Sequence, residues 1–214
     1  VSIVIELITG LSFVYSVLIL GLITIIYDIL GGIKAIIYSD IIQMIILTSV
    51  LVFILFYLTS IFGGFRSMFE YFPEQRNINL NFFDHGLGDG KEFAFWPMLI
   101  GGFFLYLSYY GCDQSQMQKG LCAKNQDEGQ KVFFLNGIFR FPLVLLYCLI
   151  GVGIGSYSQI NADFISSLPK QDGIPNYNLA VPIFLIENLP IGIVGLTLVA
   201  LFSAAMSSLD SVLN

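Results

Sequence analysis

The residues best suited to chemistry lie near the carboxyl end of the chain. The run Ala204-Ala205-Met206-Ser207-Ser208-Leu209-Asp210-Ser211 carries three serines. Residues three and four apart share a helix face, so Ala204, Ser207, Ser208 and Ser211 fall close together. That face offers two adjacent hydroxyls, with the Ala204 carbonyl one turn earlier. Hard cations take several oxygen ligands, and by analogy a small ion such as Na⁺ suits this set. The same pattern also serves packing, because small residues let membrane helices approach and serine bonds across them. Arg140 is a lone cation inside an otherwise uncharged stretch. A cation near a span centre costs about 2.5–3.5 kcal/mol on insertion scales, so it either faces a cavity with partners or snorkels outward. Asp210 is a second charge in apolar surroundings, placed to neutralise Arg140, to complete a cation site or to lie near an exit. Asp40 opens the longest uncharged span, where an acid complements the helix macrodipole. Tyr106, Tyr109 and Tyr110 gather near the end of another apolar stretch. Such tyrosines form interfacial belts or stack on a ligand's apolar face.

Other chemistries lack their residues. His85 is the sole histidine, and Cys112, Cys122 and Cys148 show no metal-ligand spacing, so they read as reduced thiols. There is no Ser-His pair, HExxH helix or pair of intramembrane acids, which argues against an enzyme, and no organic cofactor is expected. A net charge of −6 without a Lys/Arg cluster argues against nucleic acid as a partner.

The elements that must position these residues follow from composition. Hydrophobic residues are 56% of the 214, charged residues 11%, and the mean hydropathy is +0.82. A soluble domain carries about 25% charged residues, so the chain reads as an integral membrane protein with lipid as a partner. Five stretches have the length and low charge of a span, which takes about 20 residues: Leu7–Tyr27, Ile41–Phe62, Phe93–Cys112, Val132–Tyr157 and Asn188–Leu209. They predict helices near 7–27, 36–62, 93–112, 132–157 and 190–212. None alternates with period 2, and lipid offers the backbone no partners, so the expected fold is all-α.

Asp28–Asp40 reads as a tight turn around Gly31 and Gly32. Gly63–Glu92 and Ser158–Glu187 read as long loops, and Asp113–Lys131 as a medium one. Each side carries four Lys/Arg, but the Gly31 and Lys119 side is shorter and so denser in positive charge, which favours it as cytoplasmic. Pro142 and Pro190 kink or start helices. The chain begins at Val1 and stops at Asn214 beside apolar sequence, and is expected to be one transmembrane domain over 1–214, incomplete at both ends.

Three segments together carry a family resemblance. They are Ala204–Ser211; Gly31-Gly32-Ile33-Lys34-Ala35-Ile36-Ile37-Tyr38-Ser39-Asp40-Ile41-Ile42-Gln43; and Gly111-Cys112-Asp113-Gln114-Ser115-Gln116-Met117-Gln118-Lys119 with Ala123-Lys124. In order and spacing they resemble the sodium/solute symporters, which include the sodium/glucose and sodium/galactose cotransporters. The resemblance covers essentially the whole chain. It implies a LeuT-type inverted-repeat core, of which this piece is the fifth to ninth membrane helix, in an orientation that agrees with the charge density.

The same resemblance implies roles. Ser207 and Ser208 would give Na⁺ their hydroxyls and Ala204 its carbonyl, with the remaining ligands on an earlier broken helix of the longer protein. Asp40 would lie on the intracellular sodium exit path. Tyr109 falls at the inner-gate, sugar-stacking tyrosine and Tyr106 at a polar substrate contact. Gln114 and Asp113 belong to the motif, as substrate-site or loop residues. Arg140 stands where the sugar carriers have a lysine. A guanidinium binds carboxylate or phosphate bidentately, which tilts the substrate toward an acid or the arginine toward a pair with Asp210. Asp210 itself stands where glucose carriers commonly have an uncharged residue, and Lys119 replaces an arginine. The implied function is Na⁺-coupled import of a small organic solute, sugar or sugar-like, across the cytoplasmic membrane by alternating access. The alternative is a non-transporting solute and Na⁺ sensor on the same fold.

Overall fold

A computed structural model of the chain describes residues 10–73, 94–171 and 173–213, with Glu6, Phe83 and Gly86; it leaves undescribed the side chains of residues 27, 28, 33–35, 115, 119, 171, 172 and 210–213. The expected helix start at Leu7, His85 and most of the Gly63–Glu92 loop lie outside the described residues, as does the side chain of Lys119. The elements run α1 (Phe13–Ile61), α2 (Phe65–Glu70), α3 (Phe95–Gly111), α4 (Gln114–Leu121), α5 (Gln126–Ile160), α6 (Ala162–Ser167), β1 (Lys170–Gln171), β2 (Ile174–Pro175), a 3₁₀ turn (Tyr177–Leu179), α7 (Ala180–Asn188) and α8 (Ile191–Leu213). The two short strands pair antiparallel. Among the described residues the fold is all-α but for this hairpin.

Four described segments are long and apolar enough to cross a membrane: Phe13–Gly32, Ile36–Ile61, Gln126–Ile160 and Ile191–Leu209. The expected third span corresponds to α3, which has 17 residues and is about 25 Å long at 1.5 Å per residue. Large apolar side chains such as Leu18, Leu30, Phe56, Phe104 and Phe141 stand exposed, as side chains facing lipid or further helices would.

The expected turn over Asp28–Asp40 is far tighter than its sequence suggested. Helical backbone runs on both sides of Gly32, which alone departs from it with φ 57° and ψ −172°. That region is open essentially to glycine only. The Ser158–Glu187 segment is likewise not an open loop, since it forms α6, the hairpin, the 3₁₀ turn and α7. Phe164 and Leu168, and Leu179 and Ile183, recur at helical spacing and are buried. The medium connection is shorter than expected too. It folds into α4, and α5 begins at Gln126, where Asn125 Oδ1 accepts the Glu128 N–H at 2.8 Å and Asp127 and Glu128 occupy the first turn.

The chain divides into two compact units, 1–71 with 143–214, and 72–142. In the first, both segments of α1 pack along α8, with Leu20 and Ile23 beside Phe202 and Met206, and Val50 and Ile54 in one core with Ala200. That core is completed by Leu58, Ile150 and Ile154 and by Phe164, Leu168 and Phe184 of the folded connection. Tyr157 meets Phe164 and Phe184 edge-on, at 5.3 Å and 4.9 Å between ring centroids. Buried hydroxyls find acceptors one turn back: Thr24 on Leu20 O at 2.9 Å and Thr197 on Ile193 O at 2.9 Å, so neither is left unpaired in an apolar setting. The second unit holds α3, α4 and the amino-terminal part of α5 up to Pro142.

Candidate functional site

In the first unit, the hydroxyl-rich turn of α8 is formed as helix. Ser208 Oγ donates to the Ala204 carbonyl at 3.1 Å, so two of the three oxygens singled out for Na⁺ already touch. Ser208 is exposed, whereas Ser207 and Ala204 are half-buried. The chemistry of this donor set, two hydroxyls and a carbonyl, fits a small hard cation. Among the described residues no three His, Cys, Asp or Glu side chains cluster as a metal site. Asp40 is half-buried on α1, and Gln43, one turn further on the same face, buries its Oε1 without a hydrogen-bond partner. The backbone of Asp210 continues α8, but its side chain lies outside the description, and so does its expected pairing with Arg140.

The second unit brings Tyr106, Tyr109 and Arg140 together. Tyr106 and Tyr110 lie one turn apart on α3 with their rings stacked at 6.2 Å, and Tyr109 meets Tyr110 edge-on at 5.1 Å. The Arg140 guanidinium reaches in from α5. Its carbon lies 5.1 Å from the Tyr106 ring centre and 5.7 Å from those of Tyr109 and Tyr110, within cation–π range of all three. Arg140 Nη1 donates to the Tyr110 hydroxyl in a short hydrogen bond. Gln116 Nε2 donates to the Tyr109 hydroxyl at 2.8 Å.

Two members of this cluster, Tyr110 and Gln116, were named in the sequence without a role of their own. Tyr110 holds Arg140, and the signal was its i, i+4 spacing from Tyr106. Gln116 holds Tyr109, whereas Gln114 is exposed at the start of α4. A groove of about 840 Å³ opens beside the rings, lined by Met98, Phe103, Tyr106, Tyr110 and Phe133 among others.

Long apolar helices, with an arginine set among aromatic rings in one unit and a turn of hydroxyls in the other, fit an integral membrane protein. A comparison with family models makes this specific. The model of the sodium:solute symporter family matches residues 2–214, and the chain belongs to that family. It is accordingly a multi-pass membrane protein. Among curated relatives, a sodium-dependent multivitamin transporter of Oryctolagus cuniculus is 29% identical over 223 residues, covering 100% of this chain and 33% of the relative. A sodium-coupled monocarboxylate transporter 2 of Homo sapiens is 26% identical, covering 97% and 33%. The sodium/sialic acid symporter NanT of Aliivibrio fischeri is 26% identical, covering 92% and 38%. The chain thus spans about a third of the length of the curated relatives it matches. No solved structure matches it.

Proposed function

We propose that this chain is part of the core of a Na⁺-coupled symporter that imports a small organic solute across the cell membrane by alternating access, as a single LeuT-type transmembrane domain with the remaining helices of a longer protein. Na⁺ is cargo, bound at Ala204, Ser207 and Ser208 and released past Asp40. The solute binds beside Tyr106, Tyr109 and Arg140. One charge falling through 100 mV is worth about 2.3 kcal/mol, enough to concentrate a solute many-fold. No enzymatic step is part of this reading.

The observation that carries it is the gathering of three residues marked from sequence, from two separate helices, into one aromatic and cationic cluster beside an open groove. The Cys112-Asp113-Gln114 motif supports a sugar-like solute, while the relatives are named for vitamins, monocarboxylates and sialic acid, which widens the class toward acids. The test is co-flux in liposomes holding the full-length protein. An inward Na⁺ gradient should drive labelled solute uptake together with ²²Na⁺ entry. Equal uptake under a K⁺ gradient would overturn the proposal.

A further inference from the structure

We propose that α4 is a clasp on the solute site and that Gln116 is its positioning residue. By holding the Tyr109 ring and backing the Phe133 ring, α4 shapes the aromatic wall before a solute arrives. This rests on the transport reading above and adds to it a short helix that sets solute affinity.

The inference starts from how the tyrosines are anchored. Tyr110 is tied to α5, because its hydroxyl accepts from Arg140 Nη1. Tyr109 is tied to a different element. Its hydroxyl accepts from Gln116 Nε2 at 2.8 Å, and Gln116 belongs to α4. Tyr109 lies in the last turn of α3, and both it and Gln116 are half-buried. A tyrosine ring has two torsions to fix. Edge contact with Tyr110, and the Arg140 guanidinium 5.7 Å from the ring centre, favour one placement of the ring. The Gln116 bond anchors its far end.

The backbone brings that bond about. Cys112 N and Asp113 N both donate to Ser108 O, at 2.8 Å and 3.2 Å, and Met117 N donates to Asp113 O at 3.0 Å. Only Cys112 and Asp113 separate α3 from α4, and the first turn of α4 carries Gln116 back to Tyr109. Further along, α4 is seated by a glycine. A Cβ on Gly120 would overlap the Phe133 ring of α5, so α4 approaches that ring more closely than a residue with a side chain would allow. Phe133 in turn meets Tyr110 edge-on at 6.5 Å and lines the groove beside Tyr106 and Tyr110. It also lines a smaller cavity of about 400 Å³ with Gly120 and Met117 of α4. The Phe133 ring is thus a partition, with the groove on one side and α4 on the other. Two rings, one from α3 and one from α5, lean on one helix of eight residues. Holding them in place before binding raises affinity, because the solute need not order them.

The experiment uses the full-length protein. Uptake of labelled galactose, pyruvate, pantothenate and N-acetylneuraminate into liposomes is measured under an inward Na⁺ gradient, and hydrogen exchange of the α4 amides is measured in detergent. Gln116→Met keeps the length and helix preference of the side chain and removes the hydrogen bond. It should raise the half-saturating concentration of the transported probe about fivefold, as loss of one hydrogen bond does. The maximal rate should stay within about twofold, since only binding is lost. Exchange should quicken in α4 and not along α5. Tyr109→Phe should act alike, and the double variant should be no worse than either single one, the mark of one shared interaction. A side chain that merely stabilised α4 would lower the maximal rate together with the Tm and would add to Tyr109→Phe. The proposal is overturned if Gln116→Met leaves the half-saturating concentration or the α4 exchange unchanged, or if the two substitutions add. Any of these results with Na⁺-driven uptake intact leaves the transport reading standing. Uptake of no probe by the unaltered protein would instead sink the transport reading and the solute role of α4 with it. Faster α4 exchange in both single variants, with no further gain in the double, would then support the Gln116–Tyr109 tie alone.

Discussion

The Tyr57 hydroxyl donates to the main-chain carbonyl of Asn188 at 2.6 Å, joining positions 131 residues apart. Asn188 is also bound through its side chain, since Tyr157 donates to its Oδ1 at 2.9 Å and its Nδ2 donates to Phe184 O at 3.0 Å. Asn161 Nδ2 in turn donates to the Tyr157 hydroxyl at 3.0 Å. One asparagine at the end of α7 therefore ties the folded connection to α1 and α5.

Removing one hydroxyl from this network leaves partners unpaired. Tyr157→Phe keeps the ring contacts with Phe164 and Phe184 but strands Asn188 Oδ1 and Asn161 Nδ2. The expected cost is about 1–3 kcal/mol. Thermal unfolding of the full-length protein in detergent should show a lower Tm for Tyr157→Phe. An unchanged Tm would mean that the network contributes nothing net.

Gly153 on α5 is a close-approach position. A Cβ there would lie 2.9 Å from Leu58 Cδ1 and 3.1 Å from Met68 Sδ, and both neighbours are fully buried. Overpacking of this kind costs about 1–3 kcal/mol. Gly153→Ala should lower the Tm, whereas Gly151→Ala, with open space around it, should not. Equal Tm values for the two would show that the Leu58 contact yields freely.

At Gly32 the space is open and the backbone alone is demanding. Gly32→Ala should cost about 1–3 kcal/mol, the usual penalty for a non-glycine residue in so sparse a region. Uptake and Tm should fall together. A fully active, equally stable alanine variant would mean that the connection adopts another path.

Ser208 tests the cation site. Ser208→Ala should raise the Na⁺ concentration for half-maximal uptake about tenfold, equivalent to about 1.4 kcal/mol. Ser208→Thr, which keeps the hydroxyl, should recover most of the affinity. Unaltered Na⁺ dependence in the alanine variant would remove Ser208 from the site.

Apolar runs made the long helices legible in the sequence, because lipid leaves a spanning backbone no other choice. The ends were not, since they depend on local devices. Asn125 starts α5 earlier than its charged first turn suggested, and a single glycine replaces a thirteen-residue connection. The Ser158–Glu187 segment read as a loop because its prolines and polar residues hide how many of its apolar side chains are buried by distant helices. At the candidate sites, single residues of unusual type stood out: Arg140, Tyr109 and the serine pair. Their holders did not, because Tyr110 and Gln116 become partners only once α3, α4 and α5 are folded.

The reversal of α1 at Gly32 has a mechanical corollary. A joint of one residue stores no spare chain, and consecutive Cα atoms stand only 3.8 Å apart. Neither arm can telescope past the other. Whatever displacement the two arms undergo relative to one another is a swing about that joint.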